Sequence, residues 1–73
     1  MSYNYSRLLG RIKEKCGSQA VFACAIGLSE RTVVLKLSSR RDWKQTEIDK
    51  SCDVLEIPKV EIPKYFFDAN VQN

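Results

Sequence analysis

The sequence predicts an all-α domain of short helices organised around one helix–turn–helix unit. Three observations carry that expectation. Apolar residues recur at helical spacing from residue 5 to residue 16. Two further short apolar segments flank Gly27, and each is preceded by a serine able to cap a helix. The 73 residues, 44% of them hydrophobic, suit one globular domain near the lower size limit for folding without staples. The chain shows neither repeats nor low-complexity tracts.

The first helix is expected over about residues 5–15. Tyr5, Leu8, Leu9, Ile12 and Cys16 follow the i, i+3, i+4, i+7 spacing of one buried stripe, while Arg7, Arg11, Lys13 and Glu14 lie off it. Asn4 or Ser6 can cap its start. Gly10 costs some helicity but is tolerated where two backbones approach closely. Gly17 ends the helix.

Ser18 caps the second helix, expected over residues 19–26, with Phe22, Ala23 and Ile26 on its core face. Gly27 stops it, because glycine takes the left-handed conformation without steric cost. Ser29 then caps the third helix, residues 30–37, with Val33 and Leu37 as its core positions. Ala23 is small enough for two helices to cross closely, and Val33 points back into that crossing. Helix, glycine turn and helix with these small and branched positions is the arrangement that places a reading helix in the DNA major groove.

A polar loop, Ser38-Ser39-Arg40-Arg41-Asp42, leads to Trp43, a candidate lid on the core. The fourth helix is expected over residues 45–55, with Ile48, Ser51, Cys52 and Leu55 in its stripe. Glu47 and Asp49 lie near its N-terminal end, where the macrodipole favours acids. Pro58 starts a short turn over residues 59–62, since proline is tolerated at a first helical position, and Pro63 interrupts again. Tyr65, Phe66 and Phe67 either close the core or form a subunit contact. Residues 68–73 read as a polar tail.

The net charge of +3 conceals an asymmetry. Residues 1–45 hold nine Lys/Arg against three Asp/Glu, and residues 46–73 hold three against six. The basic part contains the helix–turn–helix, a polarity suited to a polyanionic partner. No apolar run approaches the roughly 20 residues that span a bilayer, and the polar start of the chain lacks a signal-peptide core. A cytoplasmic protein without membrane association is expected, inside a bacterial host cell if the resemblance below holds.

Three widely spaced cysteines, Cys16, Cys24 and Cys52, and the absence of histidine leave no zinc-ligand spacing. Cys16 and Cys52 read as small buried hydrophobes. Without histidine, paired carboxylates or a phosphate-cradling glycine loop, the chain is expected to be neither an enzyme nor a cofactor or small-molecule binder.

In the DNA-reading geometry Arg31 is the candidate for a bidentate guanine contact and Val34 for a thymine methyl. Glu30 accepts from a cytosine amino group or merely starts the helix, and Ser38 reaches a base or a phosphate. Gln19 and the N-terminal amides of its helix, with Ser29 or Thr32, would hold phosphates, and Lys36, Arg40, Arg41 and Lys44 would be point charges beside the groove. A homodimer on a pseudo-palindromic site would supply the affinity that one small footprint lacks.

The stretch Gln19…Ala23…Gly27-Leu28-Ser29-Glu30-Arg31-Thr32-Val33, followed by Leu37 to Trp43, resembles the repressor and Cro class of phage proteins. Tyr5 to Ile12 and Ile62 to Phe67 extend the likeness to a family of short phage proteins over nearly the full length. The resemblance implies a compact five-helix domain and a transcriptional regulator of the lysis–lysogeny switch that binds double-stranded operator DNA. Gln19, Ser29, Glu30, Arg31 and Val34 are its implied DNA-facing set.

Ala20, Val21, Cys24 and Val34 depart from that pattern, which usually has polar residues there. With Leu35, the residues Val21, Cys24 and Val34 make these faces more apolar than an idle solvent surface needs. They support an alternative, a modulator with the same fold that binds the main phage repressor, as antirepressor or corepressor, through helices two and three.

Overall fold

The computed structural model describes residues 3–69. Residues 70–73 of the expected polar tail, and the first two residues of the chain, lie outside that range. Five α-helices follow in order: α1 (Ser6–Cys16), α2 (Gln19–Ile26), α3 (Glu30–Leu37), α4 (Gln45–Leu55) and α5 (Ile62–Phe66). A 3₁₀ turn, Lys59–Glu61, precedes α5. Among the described residues there is no strand, and no helix is long and apolar enough to cross a membrane.

Helix α1 buries Leu8 and Ile12, with Tyr5 just before it. The side chain of Asn4 accepts from the Ser6 amide at 2.9 Å and the Ser6 hydroxyl at 2.6 Å, which fixes the entry to the helix. The expected stripe needs one correction. Leu9 is 38% exposed, and Cys16 is only half-buried. The surface reached by Tyr5, Leu8 and Ile12 turns away from Leu9, which sits at the margin of the helical face. Gly10 meets no close backbone either, since a Cβ there would find no atom within 4 Å.

Helices α1, α2 and α4 surround Phe22, Leu8, Ile12 and Leu55, all at 0–1% exposure. Fully burying side chains of this size contributes about 1.5–3 kcal/mol each before the entropy of ordering them is set against it. Trp43 closes one side of this core. Its ring centroid lies 5.3 Å from Phe66, 6.4 Å from Phe22 and 6.5 Å from Tyr5.

Arg11, off the apolar stripe of α1, braces the end of α4. Its Nε donates to the Leu55 carbonyl at 2.8 Å and its Nη2 to the Glu56 carbonyl at 3.1 Å. These are carbonyls that the helix itself cannot satisfy. Glu56 takes the left-handed conformation at φ 54°, and its carboxylate meets Lys15 Nζ at 3.0 Å.

Pro63 does not interrupt. It lies in the first turn of α5, where its missing N–H costs no hydrogen bond. The last helix is therefore Ile62–Phe66, beyond the expected short turn at 59–62. Of the aromatic cluster, only part closes the core. Phe66 is in the core, Tyr65 packs against it, and Phe67 is 50% exposed with its ring edge against Tyr3 at 5.8 Å.

Candidate functional site

The α2–α3 unit is fixed at every junction by a local bond. The Ser18 hydroxyl accepts from the Val21 amide at 3.2 Å and caps α2. Gly27 is left-handed at φ 78°, and its amide and that of Leu28 return to the carbonyls of Cys24 and Ala23. A helix end of this kind needs a residue tolerant of positive φ. Ser29 caps α3 by accepting from the Thr32 amide at 3.2 Å, and the two hydroxyls hydrogen-bond at 2.8 Å. The phosphate-holding role assigned to Ser29 and Thr32 must therefore compete with a local bond between them.

Between these caps α3 exposes Glu30, Arg31 and Val34, with Val34 at 44% exposure. Neither Glu30 nor Arg31 has an ion-pair partner among the described residues. Glu30 and the half-buried Gln19 line the rim of a cavity of about 360 Å³, together with Leu9 and Lys13 of α1. Leu9 thus adds an exposed apolar group to this side of the molecule.

At the far end of α3 three donors converge on one carbonyl. The Leu35 oxygen accepts from the Ser38 hydroxyl at 3.0 Å and from the Arg40 and Arg41 amides at 2.9 and 3.3 Å. The loop folds back on the helix end, and Arg40 and Arg41 stand exposed beside half-buried Leu35. Ser38 is exposed as expected, but its hydroxyl proton is committed to Leu35.

Lys36 departs most from the expected outward set. It is 4% exposed and points inward. Its Nζ lies 2.8 Å from Glu47 Oε1, donates to the Asp42 carbonyl at 2.8 Å, and sits 5.9 Å from the Trp43 ring centroid. The same Glu47 oxygen accepts from the Lys44 amide at 2.8 Å, so Glu47 both caps α4 and neutralises Lys36. Burial pushes the Glu47 carboxyl up, but the hydrogen bonds from Lys36 and from the Lys44 backbone outweigh it and hold the group below its usual range. A lysine at this depth has no charge to offer a groove. The helical turn that puts Val33 in the core puts Lys36, three residues on, on the same side. The Lys44 side chain itself is exposed.

On α2, Val21 is 53% exposed, and Cys24, one turn later, is also exposed. Cys24 opens on a cavity of about 430 Å³ shared with Lys50, Asp53 and Val54 of α4. The apolar positions thus form two groups, Val21 and Cys24 on α2 and Val34 and Leu35 on α3. No set of three or more metal-ligating side chains among the described residues could hold an ion.

Taken together, these features define a class: a small all-helical domain whose two-helix unit presents exposed apolar and basic side chains around a closed core. The chain belongs to the family described as "Protein of unknown function (DUF739)", which matches residues 1–69. Among solved structures it is similar to the solution structure of the modulator of repression (MOR) of the temperate bacteriophage TP901-1 from Lactococcus lactis. The two share 60% identity and a TM-score of 0.81 over 99% of this chain and 97% of that one. Comparison with curated proteins gives no match.

Proposed function

We propose that this chain is a non-enzymatic modulator of repression in a temperate phage. On this reading it binds the repressor protein of that phage through the α2–α3 surface. The observation that carries the reading is the 60% identity, over nearly the whole of both chains, to a phage protein described as a modulator of repression. The surface is consistent with it. Val21, Cys24 and Val34 stand exposed where a DNA-reading helix pair of the repressor and Cro kind would carry polar groups. Apolar side chains in the centre of a patch with a charged rim suit a protein interface.

Direct operator binding is the second reading. Exposed Arg31, Arg40 and Arg41 without ion-pair partners among the described residues favour it, as does the Gly27 turn between two short helices. Burial of Lys36 counts against it, because one of the four point charges is withdrawn.

Co-purification with the repressor, and a gel shift on the neighbouring promoter with and without that repressor, separate the two. The chain should form a stable complex with the repressor. Val34→Glu or Val21→Glu should weaken it by about 2 kcal/mol, roughly thirtyfold. Unchanged affinity in both variants, or tight sequence-specific operator binding by the chain alone, would overturn the reading.

A further inference from the structure

The buried Lys36–Glu47 pair is unusual for a domain of this size. Taking two charges out of water is expensive, and an apolar pair of similar volume is often at least as stable. What the pair does here is visible in its partners. Three consecutive loop residues close on it: Asp42 through its carbonyl, Trp43 through its ring face and Lys44 through its amide. The segment immediately before them carries Arg40 and Arg41, whose amides bond to the Leu35 carbonyl. The loop is therefore anchored at both ends, on α3 by Leu35 and on the ion pair by residues 42–44. Its two exposed arginines sit at the first anchor, their amides bonded to Leu35, and lead directly into the second.

We propose that the Lys36–Glu47 pair is a positioning device that holds Arg40 and Arg41 as a basic rim beside the Val34–Leu35 patch, and that this rim meets carboxylates on the protein partner. The inference rests on the repressor-binding reading above and adds the chemistry of the contact. The partner surface carries an apolar centre with acidic side chains along the edge facing the α3–α4 loop. Neither arginine is engaged by an acid of its own chain among the described residues. Rim charges of this kind act mainly on the association rate and on its salt dependence.

The experiment measures repressor affinity at low and at high salt for the full chain and three variants. Arg40→Ala with Arg41→Ala removes the rim, on exposed residues whose loss leaves the core untouched. Lys36→Met with Glu47→Leu removes the pins and keeps the arginines. Val34→Glu reports on the apolar centre. Thermal unfolding of each variant is recorded alongside, so that affinities are compared between folded proteins.

Both double variants should bind about tenfold more weakly at low salt, approach the parent at high salt, and lose most of the salt dependence. Loss of binding in Val34→Glu with a parental salt profile in the arginine variant overturns the basic rim while leaving repressor binding intact. A parental profile in the Lys36/Glu47 variant alone, with its fold retained, overturns the positioning role. If removing the arginines weakens binding to random duplex DNA but not to repressor, the rim belongs to a nucleic-acid face and the proposal falls. Unchanged repressor binding in all three variants overturns this inference together with the reading beneath it.

Discussion

Lys36 Nζ lies 2.8 Å from Glu47 Oε1, and the two side chains are 5% and 10% exposed. Removing one member leaves the other charged and dry. Lys36→Ala is expected to cost about 3 kcal/mol in urea unfolding, whereas Lys36→Met combined with Glu47→Leu stays within about 1 kcal/mol of the parent. A single variant as stable as the double one would show that the remaining charge finds water.

The same pair is expected to contribute to the acid limit of stability. Glu47 is held below its ordinary value of 4.5 despite its burial, by Lys36 and the Lys44 amide. Glu56 is held down by the Lys15 hydrogen bond and charge. A carboxylate with a depressed folded pKa contributes stability above its unfolded pKa and loses it as pH falls through the folded value. Unfolding free energy should therefore be flat between about pH 5 and pH 7 and decline below about 4.5. Glu47→Gln should flatten that decline. An equally steep acid limb in Glu47→Gln would assign it to other groups.

Two glycines should respond in opposite directions to alanine. At Gly10, inside α1, a Cβ meets nothing within 4 Å, and replacement should raise stability by about 0.5–1 kcal/mol. At Gly27 the space is equally open, but φ is 78°. Alanine there should cost about 1 kcal/mol through the backbone alone. Thermal melts of the two variants on either side of the parent would bear this out, and a shift of the same sign in both would refute it.

The three cysteines should separate by alkylation rate. Cys24 is exposed, Cys16 half-buried and Cys52 buried. Burial pushes the Cys52 thiol up, with Asp49 and Asp53 adding to it, so it holds little reactive thiolate. Mass spectrometry at neutral pH should find Cys24 labelled first and Cys52 only as fast as the protein unfolds. Early labelling of Cys52 would contradict the packing of α4 against α2.

Much of the fold could be read from local chemistry. Ser18, Gly27 and Ser29 mark the ends of α2 and α3 because capping is decided by a residue and its neighbours three positions away. Phe22, Ala23, Ile26 and Val33 announced the core by period alone. Leu9 lies at the margin of its stripe, and only the position of the neighbouring helices leaves it exposed. Pro63 is not a break, because proline costs no hydrogen bond in a first turn, and the pattern alone does not fix where that turn begins.

The exposed face was half legible. An apolar excess at Val21, Cys24, Val34 and Leu35 was visible as a departure from polar patterning, and the structure leaves three of those four exposed. The arginines beside Leu35 were visible as charge but not as neighbours of that patch, since their place depends on where the loop folds back.

By itself the sequence determined the first four helices, the turn at Gly27 and most core positions, because caps and helical periods are set within a turn or two of chain. Only the tertiary structure decided that Lys36 is inside. Its partner Glu47 is 11 positions away on another helix, and no periodicity links a lysine on α3 to a carboxylate on α4. The packing of α4 against the core brings them together, converts an expected surface charge into a buried clasp, and leaves Arg40, Arg41 and Lys44 as the exposed basic groups beside it.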